Sequence, residues 1–312
     1  MGSNIDSGCV GRRSIHLLIS SMSAGGRSVG AGRRVVSILR AGDWHVRVSV
    51  TSASDDPVAI AASTNEDVTA ALGGDGYIAA TARGCFESGL VFAPIPGGRG
   101  NDLCRALGIG TDPIERARAL AGLGLIEEND GFVERIRGLD GIWVNSADGK
   151  RLVLGVISLG VDAKANLIAN ESSLNNGPLA YGYGAVAAFT THQHQPIRAL
   201  VDGEETDLGG WLASISNSGR FGGGITLVPE SDLHDGVIEL MHAGPVSAMK
   251  ALPILARALA GRAARGDVLS CRTIHTIEVL EPAGMIAMAD GDRVARIPFT
   301  AEVAPHVVDV LI

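Results

Sequence analysis

A recurrence in the first hundred residues constrains the fold more than any other feature. Three apolar runs of strand length are each followed by a glycine-rich loop and a helix-like segment. Ile15-His-Leu-Leu-Ile-Ser20 ends in Ser21-Met-Ser-Ala-Gly25-Gly26. Asp67-Val-Thr-Ala-Ala-Leu72 enters Gly73-Gly74-Asp75-Gly76-Tyr77, and Gly89-Leu-Val-Phe-Ala-Pro-Ile95 enters Pro96-Gly97-Gly98-Arg99-Gly100-Asn101-Asp102. Strands alternating with helices form a parallel sheet covered by helices, and ligands of such sheets sit beyond the carboxyl ends of the strands. Any one loop is equally well a tight turn, because these are turn residues. Three on one sheet edge favour a site where backbone N–H groups meet a phosphate at helix starts. Asp75 places a carboxylate inside that cradle, which points to a metal or a proton-transfer step beside the phosphate.

The segments between these loops agree. Residues 28–40 read as an amphipathic helix and 44–51 as an alternating strand. Asp56-Pro57 and Asp112-Pro113 open helices with proline at the first position, and Asn101 or Asp102 reads as the cap of another. From about Phe132 the pattern changes to short alternating segments separated by Gly, Asn or Asp, as in an antiparallel sandwich. Among them, 152–158, 273–280 and 296–299 read as single strands. Two helical pieces, 179–191 and 246–260, read as core. The expected organisation is a Rossmann-like parallel α/β domain over residues 1–127, joined by 303–312, and a β-sandwich domain over 128–302. The cleft between them is the expected small-molecule site.

Composition narrows the partners. The chain has 312 residues, 46% of them hydrophobic, and a net charge of −8 with no basic block, which argues against a nucleic-acid partner. Only Lys150, Lys164 and Lys250 are lysines among 26 basic residues, so phosphate contacts fall to arginine or backbone. The four cysteines lack any C-x-x-C pair and read as free thiols of a reducing compartment. His192 and His194 read as surface residues. No apolar run approaches the roughly 20 residues that span a bilayer, and residues 1–13 lack a secretory pattern. The expectation is a cytoplasmic protein with no transmembrane segment, compatible with peripheral membrane association. A homodimer is left open.

Taken together, Gly73-Gly74-Asp75-Gly76 and Pro96-Gly-Gly-Arg-Gly-Asn-Asp-Leu-Cys-Arg-Ala-Leu-Gly-Ile109 resemble the paired motifs of the diacylglycerol kinase catalytic-domain family of bacterial lipid kinases. Asn217-Ser-Gly-Arg220-Phe-Gly-Gly-Gly224, Pro229 and Asp235-Gly236 resemble its β-domain signature, and Ala289-Asp290-Gly291-Asp292 its late Asp-Gly-Glu motif. The matches run in family order from about residue 15 to 300. The resemblance, which extends to sphingosine kinases and remotely to NAD kinases, implies ATP-dependent, Mg²⁺-assisted transfer of a phosphoryl group to a lipid hydroxyl at a membrane surface. It implies nucleotide contacts from Ser21, Gly25, Gly73, Gly74, Gly76, Gly98, Arg99, Asn101 and Asp290. It also implies a structural magnesium at Asp235 with backbone carbonyls near Asp232 and Val237, and an acceptor contact at Asn166. It allows either Asp75 or Asp292 as the base that activates the hydroxyl; Asp75 is preferred, with Asp292 assisting or holding magnesium.

The sequence also departs from the family. Ser21-Met22 stands for the early Asn-Pro, Tyr77 for the Thr after the Gly-Gly-Asp-Gly motif, and Ala79-Ala80 for an Asn-Glu pair. Arg99 replaces a Thr, exchanging a hydroxyl for a guanidinium, and Asp292 is one methylene shorter than the usual Glu. The acceptor is not separated among diacylglycerol, ceramide, sphingosine and phosphatidylglycerol. A soluble-acceptor kinase and a non-catalytic binding protein remain alternatives.

Overall fold

The computed structural model describes residues 11–126, 131–161, 163–165, 168, 177–259, 269–289 and 292–312. The first half follows its hydrophobic pattern closely. Strands β1 (Ser14–Ser20), β2 (His45–Thr51), β3 (Val68–Gly73) and β4 (Val91–Pro96) pair in parallel in the order β4-β3-β1-β2. Helices α1 (Arg27–Ala41), α2 (Pro57–Ala62), α3 (Asp75–Ser88), α4 (Asp102–Ala106) and α5 (Pro113–Ala121) connect and cover them. Asp56 and Asp112 accept from Val58 N and Ile114 N, and so cap α2 and α5. One face of the sheet packs Leu17 and Ile19 against Val35, Leu39 and Leu120; the other packs Leu18 and Phe92 against Ile78, Ala82 and Cys85.

The second half contributes β5 (Ile136–Ser146), β6 (Gly149–Val153), β7 (Val156–Gly160), α6 (Gly177–Thr191), β8 (Arg198–Val201), β9 (Glu204–Asp207), β10 (Leu212–Ser216), β11 (Arg220–Phe221), β12 (Ile225–Thr226), β13 (Ile238–Ala243), α7 (Ala248–Leu259), β14 (Leu269–Ile274), β15 (Thr276–Glu281), β16 (Ile286–Ala289), β17 (Asp292–Arg296) and β18 (Phe299–Leu311). A six-stranded antiparallel sheet, β14-β13-β10-β7-β16-β17, stacks on strands β5, β8, β15 and β18. Their shared core includes Ile142, Ile157, Ile215, Leu240, Ile277 and Phe299. Strand β18 serves both halves: Phe299–Ala301 pair antiparallel with β5 and β15, while Val310 pairs in parallel with Phe92 of β4. One ten-stranded sheet therefore runs through the whole molecule.

Four local expectations are corrected. Residues 152–158 are two strands, not one. Asn217 holds the break: its Nδ2 donates to Leu154 O at 3.0 Å, and its N–H to Gly155 O at 3.0 Å. Residues 273–280 are also two strands, because the chain crosses between sheets at His275. Asp202 Oδ1 accepts the N–H groups of His275 and Thr276 there, at 2.9 and 2.8 Å. Residues 296–299 form no strand; Arg296 ends β17 and Phe299 begins β18. The helices read as core, now α6 and α7, each show an exposed apolar face, at Tyr183, Val186, Met249 and Leu252.

Buried Arg116 of α5 ties the carboxyl end of the sheet together: its Nε donates to Pro94 O at 3.1 Å and its Nη2 to Leu311 O. Removing the guanidinium leaves two buried carbonyls without that donor, each costing about 1–3 kcal/mol. Arg116→Ala is expected to lower unfolding free energy by about 3 kcal/mol or more in urea titration. A loss under about 1 kcal/mol would show that the carbonyls find other donors.

Candidate active site

Three loops meet where β1, β3 and β4 end. After β1 the chain turns through Ala24, Gly25 and Gly26 with φ of 50°, 68° and 87°, a left-handed run that glycine makes accessible. The loops are joined by short polar bonds. Gly74 N–H donates to Ser23 Oγ at 3.0 Å, Gly97 N–H to Gly73 O at 2.8 Å, and Ser28 Oγ–H to Gly97 O at 2.9 Å. Gly74 and Gly98 approach so closely that a Cβ on Gly98 would lie 2.5 Å from Gly74 Cα. A Cβ on Gly73 would meet the Tyr77 ring at 2.5 Å, so the placement of the tyrosine depends on that glycine.

Asp75 is the first residue of α3, and its Oδ1 accepts from Leu103 N–H at 3.2 Å. Burial, reinforced by the charge of Asp102, pushes its carboxyl up to about 6, against the pull of that hydrogen bond. Asp102 is buried, Asp75 half-buried. The Asp102 Oδ2 accepts from Gly223 N–H at 2.9 Å, bonding the glycine run after β11 to the N-terminus of α4, and its Oδ1 is buried without a partner among the described residues. Burial raises this carboxyl as well, opposed by the Gly223 and Gly224 amides and by Arg105 and Arg220. Asn101 does not cap α4 with its side chain. It has φ 54° and closes its own loop, its Oδ1 accepting from Gly98 N–H at 2.8 Å.

A cavity of about 530 Å³ opens over this assembly. Asp75 and Asp292 both line it, with Gly25, Gly74, Gly76, Gly98 and Arg99. Gly73 and Asn101 lie behind the wall and fix the loops. Ser21 is not on the wall; its neighbours Ser20, Met22 and Ser23 are, and Ser21 N–H donates to Thr51 O. Desolvation raises the Asp292 carboxyl and Arg151 lowers it. Asp290 and Asn166 lie outside the described residues. Ala79 and Ala80 border an adjoining cavity of about 230 Å³ shared with Arg83, Arg151 and Asp292, so the small side chains open space beside the site.

Asp232, Asp235 and Val237 belong to another region, the loop before β13. Each aspartate folds back on its own turn, Asp232 Oδ1 accepting from His234 N–H and Asp235 Oδ1 from Val237 N–H, both at 3.1 Å. The buried Asp140 organises this loop, accepting Gly236 N–H and His306 N–H, both at 2.7 Å. Among the described residues, no group of three His, Cys, Asp or Glu side chains forms a metal site. Asp235 does line a surface groove with Glu230 and Glu239.

Sequence reasoning missed several wall residues: Ser23, Ser158, Arg220, Phe221, and the Thr51–Tyr77 hydroxyl pair at 2.9 Å. Arg220 stands inside the quoted glycine signature, where its charge beside three glycines was the available signal. Ser158 and Asp140 carry no local pattern; tertiary pairing alone places them.

Comparison with known proteins agrees with this architecture. Residues 14–128 match the diacylglycerol kinase catalytic domain, and residues 155–312 match the YegS C-terminal NAD kinase beta sandwich-like domain. The chain is similar to a diacylglycerol kinase of Mycobacterium tuberculosis, 27% identical over 258 residues that cover 81% of this chain and 79% of that one. It is also similar to a probable lipid kinase YegS-like protein of Pseudomonas putida, 28% identical over 282 residues, 87% and 88% of the two chains. A solved diacylglycerol kinase structure from Bacillus anthracis shares the fold, with a TM-score of 0.70, 15% identity, and coverage of 96% of this chain and 97% of that one. A two-domain kinase fold with its carboxylates on one inter-sheet cavity is thus the class. The chain belongs to the diacylglycerol kinase family of lipid kinases.

The Asp75 carboxyl generates a stability signature. The unfolded chain titrates near 3.8 and the folded chain near 6, so the folded state holds the proton between those values. The group's contribution is full below the unfolded value and is lost as pH rises through 6. The difference is worth about 3 kcal/mol at most. Asp75→Asn keeps an acceptor for Leu103 and removes the titration. Urea unfolding at pH 5 and pH 7.5 is expected to show a smaller fall in stability with pH for the variant than for the wild type. Equal falls would place the titration elsewhere.

Proposed function

We propose that the chain transfers the γ-phosphoryl group of ATP to a lipid hydroxyl, with diacylglycerol as acceptor and phosphatidic acid as product. The observation that carries this reading is Asp75, a half-buried carboxylate whose surroundings push it up to about 6, on a cavity wall shared by the glycine loops and Asp292. A base with a pKa near the working pH is suited to taking a hydroxyl proton. The N-terminus of α3, which opens on this cavity, would present amide donors to phosphate oxygens, and Arg99 and Arg220, which also line the cavity, bring positive charge. Phosphoryl transfer depends on this positioning and charge neutralisation more than on covalent chemistry.

Magnesium, when bound with the nucleotide, neutralises phosphate charge. Asp102 and Asp292 are the wall carboxylates that would hold it, and the Asp102 Oδ1, which has no partner among the described residues, fits a demand for a cation. A second, structural magnesium would fall to Asp235 with the backbone of Asp232 and Val237. Within the protein, Asp75 is the proton acceptor and Asp292 assists from the sandwich side.

The test uses purified protein, labelled ATP and magnesium, with diacylglycerol and then NAD offered as acceptor. Label is expected in phosphatidic acid in the organic phase. Label in NADP would replace the acceptor, and ATP binding by calorimetry without transfer would remove the catalytic reading. Asp75→Asn is expected to lower turnover by about 10²- to 10⁴-fold with nucleotide affinity largely kept. Near-normal turnover would exclude it as the base, and Asp292→Asn tests the other carboxylate in the same way.

A further inference from the structure

Helices α6 and α7 converge on one aromatic side chain. Trp211 stacks on Phe189 of α6 with ring centroids 4.4 Å apart, and its Nε1 donates to Val246 O just before α7 at 2.8 Å. Ala251 of α7 is buried in the same small cluster. Other apolar side chains of these helices are not covered. Met249 is 86% exposed, Leu252 54%, Tyr183 56% and Val186 55%. On each helix the two exposed side chains are three residues apart, so they share a face.

The charge on this surface runs against the rest of the protein. The chain carries 34 acidic residues and a net charge of −8, yet residues 172–201 and 244–266 contain none of them. Residues 244–266 hold Lys250, Arg257, Arg262 and Arg265, and Lys250 and Arg257 are exposed on α7 itself. A helix with apolar residues on one side, basic residues flanking them and no acid has the make-up of an interfacial helix on an anionic bilayer. No helix among the described residues is long and apolar enough to cross a membrane, so this face would lie on a bilayer rather than span it. Its position suits a lipid acceptor. Helix α7 contacts β12, whose hairpin partner β11 supplies Arg220 and Phe221 to the cavity wall.

We propose that the α6–α7 face, centred on Met249 and Leu252 and flanked by Lys250 and Arg257, docks the protein onto anionic phospholipid membrane. The proposal rests on the reading that the acceptor is a membrane lipid. Apolar side chains enter the headgroup boundary, the two basic residues meet lipid phosphates, and the cavity mouth is held near the surface that carries the acceptor.

The experiment uses the full chain in co-sedimentation with vesicles of phosphatidylcholine alone and of phosphatidylcholine with phosphatidylglycerol. Wild type is expected to bind the anionic vesicles at least about tenfold more tightly, with the preference weakened by salt. A Met249→Asp, Leu252→Asp variant is expected to lose that binding, and a Lys250→Glu, Arg257→Glu variant to lose the anionic preference. Unchanged thermal melts and unchanged turnover on a short-chain, water-soluble diacylglycerol would show that fold and site are intact. Unchanged sedimentation of the first variant would overturn the proposal. So would a concentration-dependent dimer that this variant abolishes, because the face would then belong to a second copy. Vesicle binding is read independently of turnover. If the wild type binds vesicles yet phosphorylates no lipid, the kinase reading fails and the docking face stands.

Discussion

The close approach of two backbones, Gly74 and Gly98, is the contact on which the rest of the site depends. Strands β3 and β4 are neighbours in parallel register, so the loops that leave them start side by side. They stay together because neither has a side chain at the crossing and because Gly97 N–H donates to Gly73 O. That crossing brings the start of α3 beside the start of α4, and with them Asp75 beside Asp102. An alanine at position 98 would separate the loops by steric force before any polar contact could hold them.

The two acids are a standing electrostatic conflict. Asp102 is buried and Asp75 half-buried, and like charges in a poorly solvated site raise each other's proton affinity. Among the described residues no full ion pair relieves the conflict. The structure distributes partial positive charge instead, through the amides of Leu103, Gly223 and Gly224 and the more distant guanidinium groups of Arg105 and Arg220. Partial compensation leaves Asp75 titrating near 6 rather than permanently ionised. A fully paired carboxylate would be a weaker proton acceptor, so the poor compensation is what makes the group useful, and its stability cost is the expected companion of a tuned site.

The first half of the chain was legible because buried parallel strands read as apolar runs and because Asp-Pro and glycine punctuate their helices. The second half was legible in kind and not in boundaries. Residues 152–158 and 273–280 carry uninterrupted strand patterns, and what divides them is hydrogen bonding from Asn217 and Asp202, 40 or more positions away in sequence. Asn101 shows the same limit inside the site: a helix-capping residue in a capping position, it was taken by the competing bond to Gly98. Asp75, Asp292 and the glycines were visible as motifs. Arg220, Ser158 and Asp140 were not, because their positions follow from which strands pair across the molecule.

That pairing also explains how residues near 20 and near 292 come to line one cavity. The link between the halves is not a flexible connection between separate bodies. Strand β18 is laid down in the sandwich core at Phe299 and finishes beside β4 at Val310, where Arg116 fastens the strand end. On the opposite side of the cavity, the Asp102–Gly223 bond ties the glycine run of the sandwich to the α4 N-terminus. The cavity is thus framed by a continuous sheet and by a polar bond to a buried acid. The sheet fixes the distance between the walls. The bond is the element that can respond to charge, because the second oxygen of the carboxylate that forms it has no partner among the described residues.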